Sequence, residues 1–327
     1  MKLCVMLGDG IGKEVIPAAV QVLQAVLPDL EIVEADAGWD TFLRTGASVS
    51  EETLATIREC GAGLFGAVQS PSYKVEEYRS AILTMRQSLG LYANIRPVRC
   101  LPNVSPRDDI DLIVVRENSE GLYSQRETSD GETAIAERVI TRAASERIGR
   151  KSAELIHQLN RRKLTIVHKA NVLPLTDGLF RDSVRAVMTD DIEVDELLVD
   201  VAALKLLEDP TRFDVIVTTN LFGDILSDAA AHWGGGLGYA PSLNWGDACA
   251  VAEPVHGSAP DIAGQGLANP IAAILSGAML VRYVWGNLDA ARRIEQAIDT
   301  LLSEQPAMII PSPGLTARLT NALLTIL

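Results

Sequence analysis

A chain of 327 residues, 47% hydrophobic and 22% charged, has room for a large α/β domain or for two domains sharing a core. Its formal net charge of -14 argues against a nucleic-acid or anionic-membrane partner, because the long-range field repels phosphates. Cys4, Cys60, Cys100 and Cys249 are scattered without a C-x-x-C pair, which predicts reduced thiols in a cytoplasmic protein.

Short apolar runs alternate with helical patterns along the chain, which predicts an α/β fold with much parallel pairing. Residues 2–7 read as a first strand, with no signal-type apolar stretch before Gly8. After Gly8-Asp9-Gly10-Ile11-Gly12, apolar residues at helical spacing predict a helix over 14–26. Strands follow at 31–35 and 62–67, then a helix over 79–90 and a strand at 91–96 before Pro97. Further on come a strand at 111–115, an irregular polar stretch at 116–133 and a helix over 142–159. Strands at 164–168 and 213–218 precede a helix starting near Gly223. Gly234 to Pro241 marks a return between domains. The apolar segment 270–281 is too short to span a bilayer and reads as a buried helix. A last helix around 289–303 is expected to pack back onto the first half.

Asp224 and Asp228 stand four apart after the apolar strand 214–218, so a helix puts both carboxylates on one face. Like charges at that spacing repel unless a cation lies between them, and oxygen ligands suit Mg²⁺ or Mn²⁺. The plainer reading is an acidic first turn favoured by the helix dipole. His168-Lys169-Ala170-Asn171 ends another strand, and in an extended segment Lys169 and Asn171 share a face. Lys169 reads either as a proton-transfer group or as a surface lysine at a strand end. Arg86, Arg96 and Arg116 lie near strand ends, and converging guanidinium forks would suit a di- or tricarboxylic acid. Singly, each reads as a surface ion-pair former.

The glycine loop 8–12 follows a strand and opens a helix, but Lys13 stands where a dinucleotide fingerprint needs its third glycine. It reads as a tight turn lining a different cofactor cleft. The loop from Glu253 through His256-Gly257-Ser258-Ala259-Pro260-Asp261-Ile262 is rich in small residues and backbone donors. Such a loop can approach a nucleotide closely. A carboxylate at Asp261 would accept from ribose hydroxyls and repel a 2′-phosphate, favouring NAD over NADP.

Together these segments are recognisable. The chain resembles the isocitrate/isopropylmalate/homoisocitrate family of β-decarboxylating dehydrogenases along nearly its whole length. The resemblance rests on Gly8–Gly12, Leu91–Pro97, Arg116–Tyr123, His168–Asn171, Thr219–Asp228 and His256–Pro270, in family order. It implies a fold of isopropylmalate/isocitrate dehydrogenase type: two α/β domains sharing a large mixed sheet, unlike the Rossmann domain. Residues 1–97 and 249–327 would form the larger, cofactor-side domain. Residues 98–248 would carry the metal site and the dimer interface. By family pattern Arg86, Arg96 and Arg116 hold the malate part of the substrate, and Asp224 and Asp228 bind the metal with Asp200 of the partner subunit. Tyr123 and Lys169 serve in proton transfer, and Asn171 lies beside both substrate and nicotinamide. Ile11, Glu253, His256, Gly257, Ser258, Ala259, Asp261, Ile262 and Asn269 are the residues expected at NAD. The expected partners are a small hydroxy di- or tricarboxylic acid and further copies of the chain, as a homodimer or a dimer of dimers.

The segments 66–71 and 78–86 and the run Glu120–Tyr123 look like the homoisocitrate branch. Leu83 stands three residues before Arg86, where some bacterial homoisocitrate enzymes have arginine, and with Ile82 it makes an apolar pair of the isopropylmalate kind. Ser70, Arg79 or Ser80 would then meet a distal carboxylate. Homoisocitrate ranks first, isopropylmalate second and isocitrate third. Val201 after Asp200, and Ile310-Pro311-Ser312-Pro313-Gly314 near the end, depart from the family pattern. Two other classes stay open: a non-catalytic regulatory subunit and a metal-free Rossmann reductase.

Overall fold

The computed structural model describes residues 1–69, 71, 73 and 75–327. Two compact units interleave along the chain: residues 1–91, 101–108 and 234–327 form the first, and 92–100 and 109–233 the second. The first crossing thus falls at Tyr92, before Pro97, and the return falls at Gly234 in the Gly/Pro-rich stretch.

The first unit opens with β1 (Lys2–Gly8), α1 (Gly12–Val26), β2 (Glu31–Glu34), α2 (Trp39–Thr45), α3 (Glu51–Cys60), β3 (Ala62–Ala67) and α4 (Ala81–Ser88). The second unit contributes β4 (Ala93–Arg99), β5 (Asp111–Glu117), a small antiparallel pair β6 (Glu127–Ser129) and β7 (Ala134–Ala136), and α5 (Arg142–Gln158). It continues with β8 (Lys163–His168), α6 (Thr176–Ala186), β9 (Glu193–Leu198), α7 (Val199–Glu208), β10 (Val215–Thr218) and α8 (Asn220–Ala231). The chain then returns to the first unit through β11 (Pro241–Trp245), β12 (Ala250–Pro254), α9 (Ile271–Met279), α10 (Leu288–Glu304) and α11 (Leu315–Ile326).

In the first unit β2, β1, β3 and β12 run parallel, and β11 closes antiparallel on β12. In the second, β4 is antiparallel to β5, while β5, β10, β8 and β9 run parallel. Strands covered on both faces are almost wholly apolar: Ala62–Ala67 and Val215–Thr218 are buried at every position, and the one hydroxyl, of Thr218, donates to the Val167 carbonyl. Met6, Phe65, Met85 and Val251 anchor one core, and Val114, Val167, Ile216 and Leu226 another. The whole of α9 is buried, as its composition predicts, and α10 packs on α9, α11 and α1. No helix among the described residues is long and apolar enough to cross a membrane. The four cysteines are free.

Three local expectations need correction. β4 does not stop before Pro97 but runs in register with β5 to Arg99, with Pro97 opposite Ile113. α4 starts at Ala81 rather than 79, so exposed Arg79 lies ahead of the helix and not two turns from Arg86 along it. α8 starts at Asn220, three residues before Gly223, and has no acidic residue in its first turn. The dipole reading of Asp224 and Asp228 therefore fails, because both stand beyond that turn.

Asp9 shows how the β1–α1 loop is organised. Its carboxylate, 1% exposed, accepts N–H bonds from Trp39 (2.7 Å), Asp40 (3.0 Å) and Gln69 (2.9 Å). Two of those donors open α2, where an anion offsets the orphan N–H groups. Asp9→Ala leaves three donors without their acceptor and should lower stability by about 3 kcal/mol or more. Urea unfolding checks this, and an unchanged midpoint would contradict it.

Candidate active site

The second unit gathers two arginines, two carboxylates and a phenol. Thr218 at the end of β10 pairs with Arg116 at the end of β5, so α8 leaves the sheet directly beside Arg116. Gly223 makes the approach feasible. A Cβ there would stand 2.7 Å from Arg116 Cβ and 2.6 Å from its Cγ. Arg116 is 1% exposed, and its Nε and Nη2 donate to Asn220 Oδ1 at 3.1 and 2.8 Å. Its Nη1 donates to Asp224 Oδ1. The guanidinium also lies 4.9 Å from the Tyr123 ring centroid.

Arg96 comes from β4, two residues after Asn94 and on the same strand face. Its Nε donates to Asn94 Oδ1 at 2.8 Å, and Nη1 to Ser227 Oγ and Asp228 Oδ1, both at 2.7 Å. Nη2 reaches Asp224 Oδ1 at 3.5 Å. Tyr123 Oη donates to Asp224 Oδ2 at 2.5 Å. Burial, reinforced by that hydrogen bond, pushes the Tyr123 phenol up from its ordinary value, so it stays protonated at neutral pH. Burial also pushes the Asp228 carboxyl up; Arg96 opposes the shift and the neighbouring Asp224 charge adds to it.

Lys169 and Asp200 form a separate pair, with Nζ donating to Asp200 Oδ1 at 2.5 Å. Among the described residues no three His, Cys, Asp or Glu side chains gather to hold a metal ion, so Asp200 does not join Asp224 and Asp228 within one chain. The chain is not extended at Lys169. β8 ends at His168, and residues 170–172 turn, with the Lys169 carbonyl accepting from Val172 and Leu173. The shared face expected for Lys169 and exposed Asn171 is therefore absent.

Arg86 belongs to the first unit. It is 7% exposed, and it donates to Asn244 Oδ1 at 3.0 Å and to Glu253 Oε1 at 3.2 Å. Glu253, expected at the cofactor, is thus the counter-ion of an expected substrate arginine. Ile82 packs partly on the core, Leu83 is half-buried, and Ser70 lies outside the described residues.

The two loops expected to hold a dinucleotide meet in the first unit. Ile11 N–H donates to the Ser258 carbonyl at 2.9 Å, and a Cβ on Gly10 would overlap that carbonyl. Gly264 N–H donates to Glu14 Oε1 at 2.6 Å, and Ile262 N–H to the Ala259 carbonyl at 3.1 Å. His256 Nδ1 donates to the Gly257 carbonyl at 3.0 Å, and burial pushes its pKa down, which keeps the ring neutral. Asp261 is exposed, and Asn269 Oδ1 accepts from Ile271 N–H. Just beyond the departing segment 310–314, α11 braces this loop: Thr316 Oγ1 donates to the Ala268 carbonyl at 2.6 Å.

Asn94, Asn220 and Ser227 are site residues that the sequence reading did not assign. Their signals were present: Asn94 alternates with Arg96, and Asn220 and Ser227 share one helix with the two aspartates.

These arginines and carboxylates, on this fold, define a β-decarboxylating dehydrogenase. A family model described as isocitrate/isopropylmalate dehydrogenase matches residues 2–309, ending just before segment 310–314, and the chain belongs to that family. It is 54% identical over 307 residues to the isocitrate/homoisocitrate dehydrogenase of Thermus thermophilus, covering 93% of this chain and 92% of that one. It is 47% identical over 311 residues to the homoisocitrate dehydrogenase of Methanocaldococcus jannaschii, covering 91% and 89%. Among solved structures, the isocitrate dehydrogenase of Methylococcus capsulatus matches with a TM-score of 0.92 at 39% identity, covering 99% of this chain and 98% of that one. The fold is the expected non-Rossmann type, and the metal-free Rossmann reductase is set aside.

Gly223→Ala tests the close approach. The added methyl displaces Arg116 or the helix, which should cost about 1–3 kcal/mol of stability. Turnover should fall with it, since Asp224 and Tyr123 are both tied to Arg116. Wild-type stability and kcat would show that the contact is not needed.

Proposed function

We propose that the protein catalyses the NAD- and divalent-metal-dependent oxidative decarboxylation of a 2-hydroxy-3-carboxy acid, homoisocitrate to 2-oxoadipate. The observation that carries the reading is the convergence of Arg96, Arg116 and Tyr123 on Asp224, with Asp228 beside it. Guanidinium forks for substrate carboxylates thus stand beside hard oxygen donors and a protonated phenol. The choice of homoisocitrate draws on the names of the Thermus and Methanocaldococcus relatives and on the sequence of segment 78–86.

The donor set fits Mg²⁺ or Mn²⁺: two carboxylates one helical turn apart repel, and a hard cation relieves that repulsion. One chain provides only this pair among its described residues, and Asp200 of the partner subunit is the proposed third ligand. Exposed apolar residues on the neighbouring helices, Val201, Leu204, Leu207 and Ile225, support a second copy packing there. The Lys169–Asp200 pair would then enter that copy's site as a unit, giving a homodimer or a dimer of dimers. The Gly10–Ser258 approach and exposed Asp261 fit NAD, since backbone can come close to a dinucleotide and the carboxylate disfavours a 2′-phosphate.

Bound NAD supplies the hydride acceptor for C2, and a bound divalent ion supplies the electron sink when the bond from C3 to its carboxylate breaks. Arg96 and Arg116 orient the substrate carboxylates, exchanging their contacts with Asp224 and Asp228 for charge-assisted bonds to the acid. Lys169 Nζ of the partner subunit, in its neutral amine form, takes the hydroxyl proton. Tyr123 Oη returns a proton to C3 after carbon dioxide leaves, and its raised pKa keeps that proton in place beforehand.

The apolar pair Ile82–Leu83 favours a second substrate, 3-isopropylmalate, whose branched alkyl group would need no counter-charge. A side-by-side kcat/KM comparison of homoisocitrate, isocitrate and 3-isopropylmalate should rank homoisocitrate first. EDTA should abolish turnover and Mn²⁺ restore it. A higher value for 3-isopropylmalate would overturn the substrate while leaving the reaction class standing, and turnover indifferent to EDTA would overturn the metal.

A further inference from the structure

Lys169 sits on a turn that is unusually well held. Its own N–H donates to Asp177 Oδ2 at 2.6 Å, and the next N–H, of Ala170, donates to His168 Nδ1 at 3.1 Å. Its carbonyl closes the turn by accepting from Val172 and Leu173. Asp177, in the first turn of α6, is fully buried, and its other oxygen pairs with Arg138 at 2.7 Å. Arg138 Nη2 also donates to Thr219 Oγ1 at 2.9 Å, and the guanidinium lies 4.5 Å from the Phe222 ring centroid. Thr219 stands at the N-cap position of α8, without a side-chain capping bond, and Phe222 lies in its first turn, two residues before Asp224. One buried ion pair thus joins the backbone of Lys169 to the start of the helix that carries Asp224 and Asp228.

A buried Arg–Asp pair is a poor device for stability, because desolvation offsets most of its attraction and an apolar pair of similar volume does as well. What such a pair provides is direction: one Asp177 oxygen holds the Lys169 N–H, and the other lies against the Arg138 charge without a hydrogen bond of its own, so the carboxylate is placed by both. We propose that Asp177 and Arg138 are positioning residues: they set the Lys169 turn relative to α8, and so align the lysine presented to one active site with the carboxylates of the other. This rests on the shared-site reading proposed above, in which Lys169 acts in the partner subunit's site. Neither residue touches substrate, and the effect passes through the Lys169 backbone.

Asp177→Asn keeps an acceptor for Lys169 but turns an amide against Arg138, so kcat should fall, by up to about 10²-fold for a displacement near 1 Å. KM for the hydroxy acid should change little, because Arg96 and Arg116 are untouched. The deciding test mixes chains. Asp177→Asn chains with inactive Arg96→Ala chains should recover activity to the level of a control mixture of Lys169→Met with Arg96→Ala. In both mixed dimers one site then has every group and its positioning intact. The double variant Asp177→Asn with Arg138→Met leaves no lone buried charge and guards against simple misfolding. It should melt near the wild type and behave like Asp177→Asn in the same mixtures. If the control recovers and the Asp177→Asn mixture does not, the positioning role is overturned and the shared site stands. Should the control itself fail after confirmed subunit exchange, the shared-site reading falls and the inference falls with it. A double variant with wild-type kcat would also overturn it.

Discussion

The close approach of Gly223 to the stem of Arg116 constrains everything else in the second unit. A guanidinium that is 1% exposed has lost most of its hydration and must be surrounded by acceptors. Asn220 and Asp224 provide them, and both stand on the helix that the missing side chain at 223 lets in. Once Asp224 is committed to Arg116, Tyr123 and Arg96 follow, because the same carboxylate accepts from both. Asp228, one turn on, then completes the coordination of Arg96. Within the cluster each positive fork rests on a carboxylate. Substrate and cation arriving together would preserve that pairing of charges, because the acid's carboxylates replace the aspartates at the arginines and the cation replaces the arginines at the aspartates.

The same exchange would let an acidic protein take the acidic substrate proposed for it. The net charge of -14 gives a field that repels a di- or tricarboxylate at a distance. Within a few ångströms, buried guanidinium groups dominate, since low dielectric strengthens their pull more than screened surface charge can oppose it. Arg86 follows the same logic in the first unit, where it is held by Glu253 and Asn244.

Much of this was legible in the sequence. β1, β2, β3, β4, β5, β8 and β10 came from apolar runs, whereas β6, β7, β9, β11 and β12 were not expected, and the i,i+4 spacing of Asp224 and Asp228 sets their shared face whatever the helix packs against. The failures lie where local pattern gives way to hydrogen bonds made far along the chain. Lys169 looked extended because it continues an apolar strand, but Asp177 and His168 take its N–H and that of Ala170 and turn the backbone. Arg79 looked helical by continuity with 81–88, whereas its carbonyl accepts from Ser48 Oγ at 2.5 Å. No local pattern shows that Glu253 meets Arg86, 167 residues away. The role of Asp9, buried under three backbone donors from two other segments, has no local signature.

The central claim is that the cluster around Asp224 oxidises its substrate and breaks the bond to the neighbouring carboxylate in one catalytic cycle. Purified chain supplied with homoisocitrate, NAD and Mn²⁺ should release carbon dioxide and NADH in equal amounts throughout the time course. NADH without carbon dioxide, or carbon dioxide without NADH, would contradict the account.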